Sequence, residues 1–263
     1  MKKYLFCLLV PVLAFFIYAG SLTQKNADTG RQPITIATTG ENNNMPAGGC
    51  GSLIFFHKGA IVKGATYDST GKEISKQTST ITDVKDNGGE ITGTVKMDMS
   101  SSFGSHTMNT QYKCDGSNLY VDLNSLMANL SALKGAKVQT SSLKFPIHLS
   151  VGQSLPEASV TVEMDRGNMK MKMVTSYIDR KVEGTDKVTT QGGTWNCYRV
   201  ASTIKSTTDY GNAEMQKKME ALAKKMPDSK MIAWFAPDFG IVKMEMYSGN
   251  KLITRSQVIS VKQ

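Results

Sequence analysis

Methionine is the residue type this sequence uses most unusually, at sixteen of 263 positions. Met97 and Met99, the trio Met169, Met171 and Met173, and Met244 with Met246 are spaced by two. On a strand such residues share one face. Thioethers at that spacing suit a soft ion such as Cu(I), with His106, Met108 and Cys50 as further ligands. No His or Cys lies inside these runs, which leaves that metal site incomplete. The second chemistry open to such a face is non-covalent. Methionine is flexible and polarisable, so a sheet face lined by it adapts to an acyl chain or to a partner's apolar segment. The same lining also serves as ordinary core.

Two aromatic segments extend that candidate surface. Gly192-Gly193-Thr194-Trp195-Asn196-Cys197-Tyr198-Arg199-Val200 follows a tight turn, and Trp234-Phe235-Ala236-Pro237-Asp238-Phe239-Gly240 joins two strands through a proline turn. Trp195, Trp234, Phe235 and Phe239 either ring the mouth of a ligand site or pack a corner where strands change direction. Together with Met97, Met99, Met169, Met171 and Met173 they are the candidate ligand contacts.

Groups that catalysis requires are scattered. His57, His106 and His148 have no zinc-type spacing. No G-x-S-x-G elbow occurs, no glycine loop of the phosphate-binding type opens a helix, and Asp98, Asp122, Glu163, Asp165 and Glu245 form no evident pair. The sequence therefore nominates no catalytic residue, no cofactor and no metal ligand set, and an enzyme is the weaker expectation.

These residues must be positioned by something, and the first 21 residues say where. Lys2 and Lys3 precede an apolar run from Tyr4 to Tyr18 and the small residues Ala19, Gly20 and Ser21. That is the layout of a secretory signal peptide, cut after Ser21, and the run is shorter than the roughly 20 residues that span a bilayer. The expected compartment is the periplasm or the outer-membrane surface, with no membrane-spanning segment left after cleavage. Residues 22–49 are rich in Thr, Asn, Gly and Gln and read as a flexible polar leader. The whole chain carries a formal charge of +9. Its basic residues are dispersed rather than gathered into an arm, so nucleic acid is not an expected partner.

Cys7 leaves with the signal, so Cys50, Cys114 and Cys197 remain. In an oxidising compartment three cysteines give one disulfide and one spare thiol. Cys114 with Cys197 is the favoured pair, since both lie in β-like segments while Cys50 stands at the border of the leader. Sequence alone leaves the alternatives open.

From Cys50 to Gln263 the texture is that of antiparallel β structure: short alternating runs punctuated by turns such as Asp68-Ser69-Thr70-Gly71 and Asp86-Asn87-Gly88-Gly89. Strands are expected from Leu53 through Leu123, at 159–166, 169–180, 185–190 and 194–207, and in the last 34 residues. Two short helices are expected near 124–134 and 212–226, the second carrying Met215, Met219, Leu222 and Met226 as one stripe. Val62-Lys63 with Tyr67 is echoed by Val242-Lys243 with Tyr247, which suggests related hairpins meeting to close a sheet. The fold expected is one mainly β domain over 50–263, a strongly curved antiparallel sheet or incomplete β-barrel.

The pattern Gly-Thr-aromatic-x-Cys-Tyr-basic at 193–199 is followed by Trp-Phe-Ala-Pro-x-x-Gly-x-Val-Lys-x-Glu-x-Tyr at 234–247. With Cys114-Asp115-Gly116 and Tyr120-Val121-Asp122, it resembles the TapB family of exported bacterial envelope proteins. That resemblance implies an envelope location, a β architecture and a Cys114–Cys197 bridge, and it implies no reaction. The function expected is noncatalytic: binding of a lipid or other apolar or amphiphilic ligand on a concave β face. The alternative is an envelope protein-interaction module with a filled core; a Met-rich Cu(I) site or an unrecognised enzyme ranks behind both.

Overall fold

The computed structural model describes residues 49–102, 104–122, 136–166, 169–214, 216–217 and 228–263. The expected signal peptide and leader, the helix near 124–134, and Met215, Met219, Leu222 and Met226 lie outside the described residues. Residues 45–263 make one compact unit.

Thirteen strands form one antiparallel sheet: β1 (Ile61–Asp68), β2 (Glu73–Asp86), β3 (Ile91–Ser101), β4 (Gly104–Cys114), β5 (Asn118–Val121), β6 (Ala136–Thr140), β7 (Leu143–Pro146), β8 (Ala158–Arg166), β9 (Met169–Thr190), β10 (Gly193–Asp209), β11 (Ser229–Ala236), β12 (Gly240–Ser248) and β13 (Lys251–Lys262). Alternation makes them strands. In β3, Gly93, Val95 and Met97 are buried while Thr94, Lys96 and Asp98 face outward, the period-two pattern of a half-buried sheet. The turns are chemically specified. Asp68 Oδ1 accepts the amides of Thr70 (2.8 Å) and Lys72 (3.0 Å), and Gly71 supplies the positive φ of 86° that closes the β1–β2 hairpin.

The strand order is β6-β8-β9-β10-β11-β12-β13-β1-β2-β3-β4-β5-β7. The first and last strands pair, Ile61 opposite Lys262 through Asp68 opposite Thr254, so the two echoing hairpins do meet. The edges of the sheet hold a further feature. β6 and β7 stand at opposite ends of the order, yet only Ser141 and Ser142 separate them in the chain. Three peptide steps reach at most about 11 Å, so the end of β6 and the start of β7 lie close together and the sheet must be rolled.

Side-chain contacts agree. Phe145 of β7 stacks on Phe235 of β11 at 5.6 Å, although eight strand positions separate them in the order. In a flat sheet, at about 4.8 Å per strand, they would be about 38 Å apart. The roll is an incomplete barrel: β6 and β7 are not paired with each other, and the two ends of the sheet meet at a seam where residues 152–155, beyond β7, bond to β9 at 180–182.

Two 3-10 turns, Cys50–Ser52 and Ile54–Phe56, precede β1 and fold against the sheet. Leu53 and Ile54 are buried, the Ile54 amide donates to the Phe239 carbonyl (3.3 Å), and the Phe55 ring stacks on Tyr112 at 3.9 Å. Glycine makes the approach possible at Gly93, where a Cβ would lie 2.1 Å from the Phe55 carbonyl oxygen.

Four expectations change. Residues 53–56, expected as the first strand, form a bend and a 3-10 turn, with Leu53 and Ile54 buried against the sheet. The disulfide joins Cys50 to Cys114, not Cys114 to Cys197; Cys197 is a free, buried thiol. The reason is that residues 50–56 belong to the packed domain. They lie over β3 and β4, while Cys197 points into the core of β10 opposite Asp186. The segments expected as 169–180 and 185–190 are one 22-residue strand, β9, which absorbs register shifts where it faces Arg199/Val200 and Ala201/Thr203. At the second shift Asp179 takes a φ of 52°, and two residues oppose Ser202 alone. β6 and β7 lie in a region where no strand was expected. At the second expected helix, residues 213–214 and 216–217 are helical, with the Gln216 amide bonded to the Asn212 carbonyl at 2.9 Å.

Candidate functional site

Five of the nine candidate contacts converge. Met97, Trp234 and Phe239 belong to one buried cluster with Ile54, Met108, Cys197 and Val242, and Met99 and Trp195 pack against it. Trp195 tilts against Phe239 at 5.1 Å. The cluster draws on β2–β4 and on β9–β13 and is covered by the turns at 50–56; Phe235, next to Trp234 on β11, faces the other side of that strand. Phe235 is instead fully buried beside Phe145. Met171 and Met173 are half-buried on β9 opposite Met164 and Val162; for Met169 only its register opposite Arg166 is described. The methionine runs therefore sit on three separate strands, β3, β9 and β12.

Trp234 also anchors a polar network. Its Nε1 donates to Asp186 (2.7 Å), whose two oxygens take Arg199 Nη1 at 3.1 and 3.0 Å. Arg199 lies 3.6 Å from Glu183, which accepts Lys230 at 3.0 Å. Lys243 sits 4.2 Å over the Trp234 ring and pairs with Glu245 (2.8 Å), which accepts the Tyr247 hydroxyl at 2.5 Å. Burial and that carboxylate push the Tyr247 phenol upward. Each carboxylate here has a cation, and the network ties β9 to β12.

The soft-metal arrangement is partly assembled. Met97 is opposite Met108 and Met99 opposite His106, on β3 and β4. Cys50 is committed to its disulfide and supplies no thiolate. Burial, with Asp238 and Asp186 behind it, pushes the Cys197 thiol up to about 12. Among the described residues no three His, Cys, Asp or Glu side chains gather as a metal site. Met99 and His106, with Lys76, Gln77 and Asp98, also line an open groove of about 390 Å³ over β2–β4.

A site that the sequence did not mark lies at the seam. Arg180 of β9 is 2% exposed, and its guanidinium carbon stands 4.9 Å over the Phe145 ring of β7. Its Nη1 donates to the carbonyls of Lys144 (3.1 Å) and Pro156, so one side chain fastens the two sides of the seam. Burial draws its pKa down to about 10, which leaves it charged at neutral pH. Nε and Nη2 have no hydrogen-bond partner, and neither has the buried Oγ of Ser202. In sequence Arg180 sits between Asp179 and Lys181 and looks like the polar end of a strand. Only the bulge at Asp179 turns it inward.

An open, rolled antiparallel sheet with apolar side chains packed on it places the described residues in a class of β-rich domain. The chain belongs to the DUF3108-like family, whose sequence profile matches residues 57–259. Two solved structures share the fold. One is a Bacteroides fragilis protein assigned as exported, with a YmcC-like fold: 16% identical, covering 79% of this chain and 97% of that one, TM-score 0.58. The other is a Parabacteroides distasonis protein assigned as a lipoprotein: 18% identical, covering 80% and 99%, TM-score 0.60. No curated protein matches the sequence. Among the described residues no helix is long and apolar enough to cross a membrane.

Proposed function

We propose that this is a noncatalytic, exported protein of the cell envelope that takes an apolar or amphiphilic ligand inside its rolled sheet. The observation that carries the reading is the seam. In place of a continuous ladder, the chain passes from β6 into β7 through Ser141 and Ser142, a short stretch at 152–155 bonds to β9, and Arg180 reaches across to Lys144 beside the Phe145–Phe235 stack. Opening that junction breaks fewer backbone bonds than opening a continuous ladder, and the Phe145–Phe235 stack lies beside it. Export is supported by the charge, apolar run and small residues of positions 1–21 and by the assignments of the two fold relatives. The narrower likeness to TapB proteins belongs to the same proposal and points to the periplasm or the outer-membrane surface.

The alternative, an envelope interaction module, draws on the filled cluster around Trp234 and Phe239. Against it, Val151 is the one exposed large apolar side chain among the described residues. Native mass spectrometry of the protein purified from the periplasm separates the two. A lipid or added amphiphile retained at one per chain is the expected result. A clean mass that persists after incubation with dodecanoate, dodecanol and lysophospholipid overturns the ligand reading.

A further inference from the structure

We propose that Arg180 and Ser202 form an oxyanion-binding site at the seam, so that the ligand taken there carries a carboxylate or phosphate group. The proposal rests on the reading of the rolled sheet as a ligand site and names the chemistry of that ligand.

Three observations converge. First, a guanidinium only 2% exposed has no carboxylate within ion-pair distance among the described residues, and its hydrogen-bond partners are two neutral carbonyls. A buried charge is tolerated when paired and is strongly unfavourable otherwise. Second, the unpaired donors are Nε and Nη2. These two nitrogens share one edge of the guanidinium with their N–H bonds parallel, the fork that receives two oxygens of a carboxylate or phosphate. Third, the orphaned Ser202 hydroxyl belongs to the same place. Val200 faces Val182 and Ile204 faces Tyr177, all buried, and Ser202 between them opposes the Asp179–Arg180 bulge on that same inner face. The fork and the hydroxyl supply donors to the anion. The stacked Phe145 and Phe235 rings provide an apolar wall beside it.

The test compares matched ligands on the full exported protein: dodecanoate, dodecyl phosphate and neutral dodecanol by calorimetry, and inorganic phosphate by thermal shift. A charge-assisted bidentate pair should favour the two anionic alkyl ligands over dodecanol by about tenfold or more. Arg180→Met should reduce that preference to about twofold or less while dodecanol still binds. If the wild type and Arg180→Met bind all three alkyl ligands alike, the oxyanion site is wrong and the amphiphile reading stands. If no alkyl ligand binds but phosphate stabilises the wild type and not Arg180→Met, the site holds a free oxyanion and the amphiphile reading falls. If nothing binds, both fall. Should Arg180→Met fail to fold, Arg180→Lys keeps the charge without the fork. With Ser202→Ala, it must lower the anionic preference, and an unchanged preference in both overturns the site.

Discussion

Gly93 and Asp115 show how single residues fix the end of the roll nearest the N-terminal turns. At Gly93 the obstacle to a side chain is the Phe55 main chain itself, with its carbonyl oxygen 2.1 Å and its carbonyl carbon 3.1 Å from a Cβ. Backbone cannot step aside as a flexible side chain does. Gly93→Ala should therefore lower stability by about 1–3 kcal/mol in urea denaturation, by lifting residues 54–56 off the sheet. Asp115 holds the β4–β5 turn. Its carboxylate accepts the Tyr120 hydroxyl (2.7 Å) and the amides of Ser117 (2.9 Å) and Asn118 (2.7 Å), and these bonds, led by Tyr120, hold its pKa near about 2. A carboxylate with a depressed folded pKa stabilises fully above its ordinary value near 3.8, and that contribution is lost as pH falls through about 2. Asp115→Asn should flatten the acid limb of a stability profile across that window. An unchanged limb would mean the turn does not sense the charge.

At the scale of elements, the Cys50–Cys114 bridge turns a short N-terminal segment into part of the domain. It closes a loop with a sequence separation of 64, which chain entropy values at about 4 kcal/mol, and its second effect is local. The bridge holds the turns at 50–56 over the cluster of Ile54, Trp234 and Phe239. The double variant Cys50→Ser/Cys114→Ser should lose about 2–5 kcal/mol and expose the amides of residues 53–57 to exchange before those of the strands. Uniform loss of protection would contradict the second effect. Most strands were legible in the sequence because one face of each is buried and the other is wet, as in β3. β6 and β7 were not, since Ala-Lys-Val-Gln-Thr and Leu-Lys-Phe-Pro alternate over only four or five residues, too short a run to stand out. The length of β9 was hidden for a related reason. A bulge shifts the inward parity by one, so the charged Asp179-Arg180-Lys181 stretch reads as the end of a strand. The cysteine pairing was misread because Cys50 borders a polar leader in sequence, whereas its fold neighbours lie in β4.

Over the whole molecule, curvature was legible and the seam was not. The Val62/Val242 echo pointed to the hairpins that meet where β1 pairs with β13, and the run of β hairpins pointed to an incomplete barrel. Which edge strands adjoin depends on contacts between residues far apart in the chain, such as Phe145 with Phe235 and Arg180 with Lys144, and no local pattern encodes them. The candidate site follows the same division. The clustering of Trp195, Trp234 and Phe239 came from a readable aromatic motif, while Arg180 and Ser202 became a site only when the bulge turned them to one face. The most direct measurement is hydrogen exchange of the full protein with and without saturating dodecanoate. Ligand entry at the seam predicts added protection at residues 143–147, 152–156 and 178–182. No change there, or protection confined to the β2–β4 groove around Met99 and His106, would contradict it.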